Sequence, residues 1–200
     1  MEPLDAEQLA AFTRRPEPGS HRVTLRIGER EVETLADLAP APGRLLFVGL
    51  NPSPASVEAG HYHQGASGRP FWKHLIAAGI LPRGTAIRTA DDALAALGHG
   101  LTDLFKDPST RDVAPDEVLR AGVGHLWQRV ALWRPAAVVF LYRRAAEAVA
   151  GRLLDVPYGV LEGVALAGRP CILMPDPSGT AASIEEGVLI LRNLAASLPR

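Results

Sequence analysis

Two polar side chains follow apolar runs of the sequence and come directly before prolines. The pair Asn51-Pro52 follows the apolar run Leu45–Leu50, and the pair Asp176-Pro177 follows Cys171–Met174 by one residue. A proline disfavours helical dihedral angles in the residue before it, so each polar side chain is held in extended backbone. Polar groups held rigidly in this way can orient a ligand or a water molecule.

Further residues that could carry chemistry lie between these two pairs or directly after the second. His61 and His63 could bind a metal ion, but the sequence offers no third ligand at a suitable spacing, so we expect no metal. Asp103 follows the short apolar segment Gly100–Thr102 and could activate water as a general base; a helix cap or an ion-pair partner remains an alternative role. Ser178 has no evident His and Asp partners, and the chain has no G-x-S-x-G motif, which disfavours a small-molecule serine hydrolase.

Buried strands and amphipathic helices alternate along the chain and would position these residues. Apolar runs predict buried strands at 45–50, 136–141 and 171–174, with a short apolar segment at 100–102. Helices are predicted at 71–80, 90–97, 115–132 and 143–154, and from a capping box at 183–186 to residue 198. This alternation predicts an α/β fold, a three-layer sandwich with a mainly parallel central sheet covered by helices on both faces. Such sheets bind ligands at the carboxyl ends of their strands, where Asn51 and Asp176 lie.

Length and composition favour one domain with an N-terminal extension. The 200 residues include one cysteine, Cys171, and carry a formal net charge of −1. A disulfide framework is thereby excluded, and non-specific coating of nucleic acid is disfavoured. Residues 1–43 are interpreted as an extension packed on the domain, with a short helix at 5–12 and a half-buried strand at 23–27, and residues 44–200 as the domain. Because no apolar run is long enough for a membrane span and the acidic start is unlike a signal peptide, we expect a cytoplasmic monomer.

Four segments, which follow one another along the chain in the family's order, resemble motifs of the mismatch-specific uracil-DNA glycosylases and thymine-DNA glycosylases. Gly49-Leu50-Asn51-Pro52-Ser53 resembles their first motif, G-[IL]-N-P-[GS], and Asp176-Pro177-Ser178-Gly179 resembles their second, N-P-S-G. Arg69–Leu75 is similar to their R-F-W-K segment with a proline inserted, and Gly100–Thr110 to their G-[VI]-T-x-L-V-x-R-P-T segment. The resemblance spans residues 44–198. One cysteine is too few for the related iron–sulfur enzymes.

The resemblance implies a DNA glycosylase that flips uracil out of the duplex and hydrolyses its N-glycosidic bond in base excision repair, without a cofactor. Asn51 would position the attacking water, and either His63 or Tyr62 would stack on the flipped base. Arg69 and Lys73 would contact phosphate or form a solvated helix face. With no lysine in either motif, a Schiff-base lyase step is not expected. The base pocket would consist of Gly49, Leu50, Pro52, Ser53, His61, Tyr62, His63 and Phe71.

Several positions depart from the family pattern. Asp103 stands where the best-known bacterial members carry Lys, Asp176 replaces the Asn of the second motif, and His63 stands at an aromatic position. The loop after the second motif, residues 179–183, enters the duplex in the family and offers only Thr, Ala and Ser side chains here. The expected DNA-binding or wedge residues at this end of the sheet are Asp176, Pro177, Ser178, Gly179, Thr180, Ala181 and Ala182. We therefore expect a preference for pairs that open easily, such as G·U, and weak retention of the abasic product. A catalytically weak DNA- or nucleotide-binding module of the same fold is the alternative.

Overall fold

The computed structural model describes residues 19–110 and 114–198. Its centre is a five-stranded sheet in the order β4-β3-β5-β7-β6, with β6 antiparallel to β7 and the other neighbours parallel. A separate antiparallel hairpin precedes the sheet. The strands are β1 (Arg22–Ile27) and β2 (Arg30–Leu35) in the hairpin, and β3 (Leu45–Gly49), β4 (Gly100–Asp103), β5 (Ala137–Phe140), β6 (Gly159–Leu166) and β7 (Arg169–Leu173) in the sheet.

Six α-helices in the described residues cover the two faces of this sheet. They are α1 (Pro54–Ala59), α2 (Arg69–Ala78), α3 (Ala90–Ala96), α4 (Asp116–Trp133), α5 (Arg143–Ala150) and α6 (Ala181–Ser197). Along β3, Leu45 and Phe47 face a core built with α1, α2, α3 and α6, while Leu46 and Val48 face a core built with α4 and α5. A strand buried on both faces has this continuous apolar sequence. The predicted α/β sandwich with a mainly parallel sheet is confirmed.

Besides β2, the second strand of the hairpin, two of these elements were not predicted from the sequence. The first is α1, six residues that begin at a proline in a segment interpreted as loop. The second is β6, whose pairing with β7 is interrupted between Val160 and Ala165. The helix predicted to reach Leu154 ends at Ala150, because Gly151 adopts a left-handed conformation with φ +66°. The predicted helix at 5–12 lies outside the described residues.

Strand β4 is the edge of the sheet, and the segment that follows the hairpin covers it. The backbone N–H groups of Leu38 and Leu101 each donate to the other residue's carbonyl at 2.9 Å. Leu35 and Leu38 are buried against the same edge. This cover removes the unpaired strand edge that would otherwise be open to another chain. The division of the chain at residue 43 stays a prediction. In the described part of the chain, no helix combines the length and apolar character that crossing a bilayer requires.

Candidate functional site

Asn51 lies two residues after the end of β3, and the loop that follows β4 folds over it. The backbone N–H of Ser109 donates to the carbonyl of Pro52 at 3.2 Å. The Asn51 side-chain nitrogen, Nδ2, contacts only acceptors: Ser109 Oγ at 3.0 Å and the carbonyl of Asp107 at 3.2 Å are the nearest. These acceptors fix the orientation of the amide. Across residues 19–110 and 114–198 no group donates to Asn51 Oδ1, so this oxygen is free to accept a hydrogen bond from a water.

Asp103 is the last residue of β4. It lies beside the residue of β3 that is two positions before Asn51 in the chain. The strand register pairs Asp103 with Gly49. A Cβ added to Gly49 would lie 2.3 Å from Asp103 Oδ1, so the carboxylate occupies the space that a side chain at position 49 would fill. The glycine of the first motif is therefore required here by the close approach of Asp103.

Asp103 is part of a buried ionic cluster at the covered edge of the sheet. Lys106 Nζ lies 2.5 Å from Asp37 Oδ1 and 3.7 Å from Asp103 Oδ2, and Arg129 Nη1 lies 2.6 Å from Asp37 Oδ2. Asp103 is 2% exposed, and its Oδ2 has no hydrogen bond within the described residues; 3.7 Å is too long for one. Asp37, Lys106 and Arg129 were not expected at the site from the sequence.

The two carboxylates of this cluster differ in their electrostatic environment. Burial raises the pKa of Asp103 to about 6, against the attraction of Lys106. Burial also acts to raise the pKa of Asp37, but Arg129 and Lys106 outweigh it and hold that pKa below its ordinary value. Asp37 is thus a permanent counter-ion, while Asp103 can gain or lose a proton near neutral pH. A carboxylate of this kind beside a strand-end site has the properties of a general base.

Gly49→Ala tests the close approach at this point. The new methyl group must displace the Asp103 carboxylate, so we expect the variant to lose about 1–3 kcal/mol of unfolding free energy, as overpacked cores do. Urea denaturation measures this loss. In an Asp103→Ala background the same substitution should cost clearly less, since the colliding oxygen is gone. An equal cost in both backgrounds would show that the carboxylate does not occupy this space.

His61 and Tyr62 point into the protein. The Tyr62 ring is 2% exposed; its hydroxyl donates to the Ala36 carbonyl at 3.0 Å and accepts from Lys106 Nζ at 3.0 Å. His61 is 3% exposed and its Nδ1 lies 3.0 Å from Asp91 Oδ1. Side chains enclosed in this way cannot stack on an incoming base. We therefore correct the placement of these two side chains in the base pocket.

His63 is the ring of this segment that retains partial exposure. Its ring centroid lies 4.8 Å from that of Phe71 and 5.8 Å from that of Trp72. Phe71 is 2% exposed and forms the layer beneath. Burial lowers the pKa of His63 to about 4, so the imidazole is neutral at neutral pH. Its backbone φ of +53° is unusual for a residue other than glycine, and such strained positions cluster at binding sites.

The second motif forms a turn followed by a helix cap. Asp176 Oδ1 accepts hydrogen bonds from the backbone N–H of Ser178 at 2.8 Å and from its hydroxyl at 2.7 Å. Asparagine and aspartate make such turns equally, so Asp176 keeps the geometry of the motif. Thr180, and not the predicted Ser183, caps α6 by accepting from the Ser183 N–H. The exposed residues of the loop are Asp176, Ser178, Gly179, Thr180, Ala181 and Ala182, whereas Pro177 is buried.

A cleft of about 340 Å³ opens at the carboxyl ends of β5 and β7, and Asp176 forms part of its wall. Arg143 and Arg144 follow β5 and also line it; the Arg143 guanidinium lies 5.2 Å from the centre of the Tyr158 ring and donates to the Leu154 carbonyl. This cleft was not predicted from the sequence, although two arginines three and four residues after a buried strand are a possible signal of it. Asn51 follows β3 and Asp103 ends β4, and in the strand order these two strands lie on the opposite side of β5 from β7.

Two further basic residues lie on α2, the helix whose Phe71 and Trp72 contact His63. Arg69 and Lys73 are exposed and one turn apart at the start of α2, so either role expected for them, phosphate contact or solvated face, stays a prediction.

Leu50 and Pro52 are buried and Ser53 caps α1 by accepting from the Ser56 N–H.

Comparison with known proteins agrees with this arrangement. The family model described as the Uracil DNA glycosylase superfamily matches residues 36–188. No curated protein matches the chain. The matched range begins at the segment that covers the sheet edge, includes Asp37 and both strand-end motifs, and ends within α6. The chain therefore belongs to the Uracil DNA glycosylase superfamily.

Proposed function

We propose that this protein excises uracil from DNA by hydrolysing its N-glycosidic bond. Superfamily membership supports a DNA glycosylase. The observation that carries the proposal is the Asn51 amide, whose nitrogen is held by acceptors at 3.0–3.4 Å while its oxygen is left for a water. The experiment is a base-release assay on oligonucleotides that contain one uracil, single-stranded or opposite each of the four bases. Binding without release on every substrate would favour a DNA-binding module instead.

The reaction separates into bond breaking and water attack. As the bond between C1′ and the base breaks, its electrons leave with uracil and the sugar gains oxocarbenium character. The water held by Asn51 Oδ1 then attacks C1′, and the Asp103 carboxylate accepts its proton. Because the sugar is already electron-poor, the water needs orientation more than strong activation. A base with a pKa of about 6 suits this step near neutral pH.

Hydrolysis without a lyase step is the expected outcome. A Schiff-base lyase needs an amine at C1′, and the chain contains two lysines, Lys73 and Lys106. Neither lysine belongs to the first or second motif: Lys106 is buried and lies 2.5 Å from Asp37, and Lys73 is on α2, where it is expected to contact phosphate or solvent. Borohydride should therefore trap no covalent complex between the protein and uracil-containing DNA, and the product should be an intact abasic site.

The flipped base is proposed to stack on His63. The neutral imidazole rests on Phe71 and Trp72, which supports it from below, and a neutral flat ring suits an uncharged base. A histidine offers less stacking area than the aromatic residue that the family carries, so the pocket holds the base less firmly.

We expect uracil opposite guanine and uracil in single strands to be excised faster than uracil opposite adenine. Flipping costs a few kcal/mol of pairing and stacking, and the exposed residues at 178–182 are too small to fill the gap that the base leaves. A weakly paired or unpaired uracil has less pairing free energy to lose when it flips. The measurement is the ratio of single-turnover rates on G·U and A·U duplexes. Equal rates would show that this loop does not limit flipping.

A larger side chain in the loop should lengthen product binding. Ala181→Arg is preferred to a change at Thr180, because Thr180 caps α6. One added contact of about 1–1.4 kcal/mol would slow dissociation of the abasic product about fivefold to tenfold. Ala196→Arg, at an exposed position near the other end of α6, controls for the added charge. Equal slowing by both variants would assign the effect to charge alone.

A further inference from the structure

A second cluster of chemically capable side chains lies beside the candidate pocket and takes no part in the proposed reaction. It consists of His21, His61, Asp91 and Asp92. One ligand atom from each residue can be chosen so that all four lie within 4.8 Å of one another. The cluster joins three segments: the residue before β1, the residue after the α1 cap, and the first turn of α3.

Several contacts within the cluster are already close to those of a tetrahedral metal site. His21 Nε2 lies 3.0 Å from Asp92 Oδ1 and 3.4 Å from Asp91 Oδ2, and His61 Nδ1 lies 3.0 Å from Asp91 Oδ1. Tetrahedral zinc with bonds of about 2.0–2.1 Å places neighbouring ligand atoms about 3.3 Å apart. One atom from each of the four residues lies within 4.8 Å of the others, so the widest separation must shorten by up to about 1.5 Å for all four to bind one ion.

The surroundings of His21 distinguish a metal site from a cluster held together by hydrogen bonds alone. The residue is 2% exposed, and within the described residues neither of its ring nitrogens makes a hydrogen bond, in spite of the carboxylate oxygens at 3.0 and 3.4 Å. The nitrogen is close to the oxygens but not aligned for an N–H donor. A buried polar atom with no partner is costly, and a metal ion between these atoms would satisfy it.

The charges of the cluster fit a divalent cation. Asp91 is fully buried, and among the described residues its ion-pair partners are His21 and His61, with no lysine or arginine. Two carboxylates and two neutral imidazoles would balance a charge of +2. The backbone N–H of Tyr62 donates to Asp91 Oδ2 at 2.8 Å and orients the carboxylate, as outer-shell groups of metal sites do.

We propose that His21, His61, Asp91 and Asp92 form a structural site for a divalent ion of the zinc class. Two nitrogen and two oxygen ligands in a compact group suit zinc, while calcium and magnesium prefer six or more oxygens. The ion fixes the start of the hairpin to the domain. It also fixes the backbone immediately before His63, the residue proposed to stack on the base. The site does not depend on the proposed glycosylase activity.

The test measures metal binding by the full chain directly. Protein purified after expression with added zinc is desalted and its metal content is determined by mass spectrometry. We expect about one zinc per chain. After chelator treatment, Co²⁺ should restore the intense visible bands of a tetrahedral site. Zinc at a hundredfold excess over Kd should raise Tm by roughly 5–10 °C.

Variants distinguish this site from surface binding. His21→Ala and Asp92→Asn should lose the bound metal, the cobalt bands and the rise in Tm. His125→Ala, at a half-buried histidine of α4 outside the cluster, should keep all three. Asp92 has a side chain that is 37% exposed, so Asp92→Asn decides the question if His21→Ala does not fold. No stoichiometric metal in the wild type, or equal metal in wild type and Asp92→Asn, would overturn the proposal.

Discussion

Asn51→Ala is expected to slow single-turnover excision of uracil at least about tenfold, and as much as about a hundredfold or more, as loss of one preorganised polar group does. The amide oxygen that orients the water is removed, while the strands around it stay intact. Binding of uracil-containing duplex should be retained, because the basic and loop residues are unchanged. Single-turnover rates and binding titrations measure the two effects separately.

A second variant tests how much the rate depends on the orientation of the Asn51 amide, when the amide itself is still present. Ser109→Ala removes the acceptor nearest to Asn51 Nδ2, at 3.0 Å, but leaves the backbone acceptors in place. We expect a loss of rate clearly smaller than that of Asn51→Ala. Near-normal excision by Asn51→Ala would remove Asn51 from the mechanism.

Asp103→Asn is expected to reduce the rate at least about tenfold at neutral pH and to change its pH dependence. In the wild type the rate should rise with pH through about 6, where Asp103 loses its proton, and then level off. The amide cannot accept a proton, so the variant should lack this rise. The double variant with Asn51→Ala should be almost inactive. Full activity of Asp103→Asn across the pH range would make Asp103 a structural residue.

The stability of the same variant provides the control. The folded-state pKa of Asp103, about 6, is above its ordinary value of 3.8. Its contribution to stability is therefore fully present below about 3.8 and is lost as the pH rises through about 6. Relative to the wild type, Asp103→Asn should melt no earlier at pH 7–8 than at pH 4. A markedly lower Tm at pH 7–8 would mean that its loss of rate reflects unfolding and not chemistry.

The fold was predictable because its central strands are apolar on both faces. The runs that contain β3, β5 and β7 cannot be exposed, and the helices between them have one apolar face each, so the layered arrangement follows from local sequence. Strand β6 was not predictable in this way. It has only two buried residues, Leu161 and Leu166, and Gly163 interrupts it, so its sequence lacks the alternation that identifies a half-buried strand.

The candidate site was predictable where its residues are neighbours in sequence. Asn51 was identified from the strand end and the proline after it. Asp37, Lys106 and Arg129 were not, because their contact depends on tertiary packing around the edge of the sheet. For the same reason His61 lacked a visible third ligand: Asp91 is 30 positions away, and His21 precedes the hairpin. Tyr62 was misplaced since its burial depends on Lys106 and Ala36.

The ionic cluster at the sheet edge also bears on the order in which the chain folds. Asp37 and Arg129 are 92 positions apart, so their contact closes a long loop, and this closure carries a large entropic cost before any attraction is gained. Until both partners arrive, burial of either charge is unfavourable. We therefore expect the cluster to close after the central strands have paired, in the late part of folding. Contacts absent from the folding transition state act mainly on the unfolding rate, so we expect substitutions in this cluster to shorten the lifetime of the folded protein more than they slow its folding.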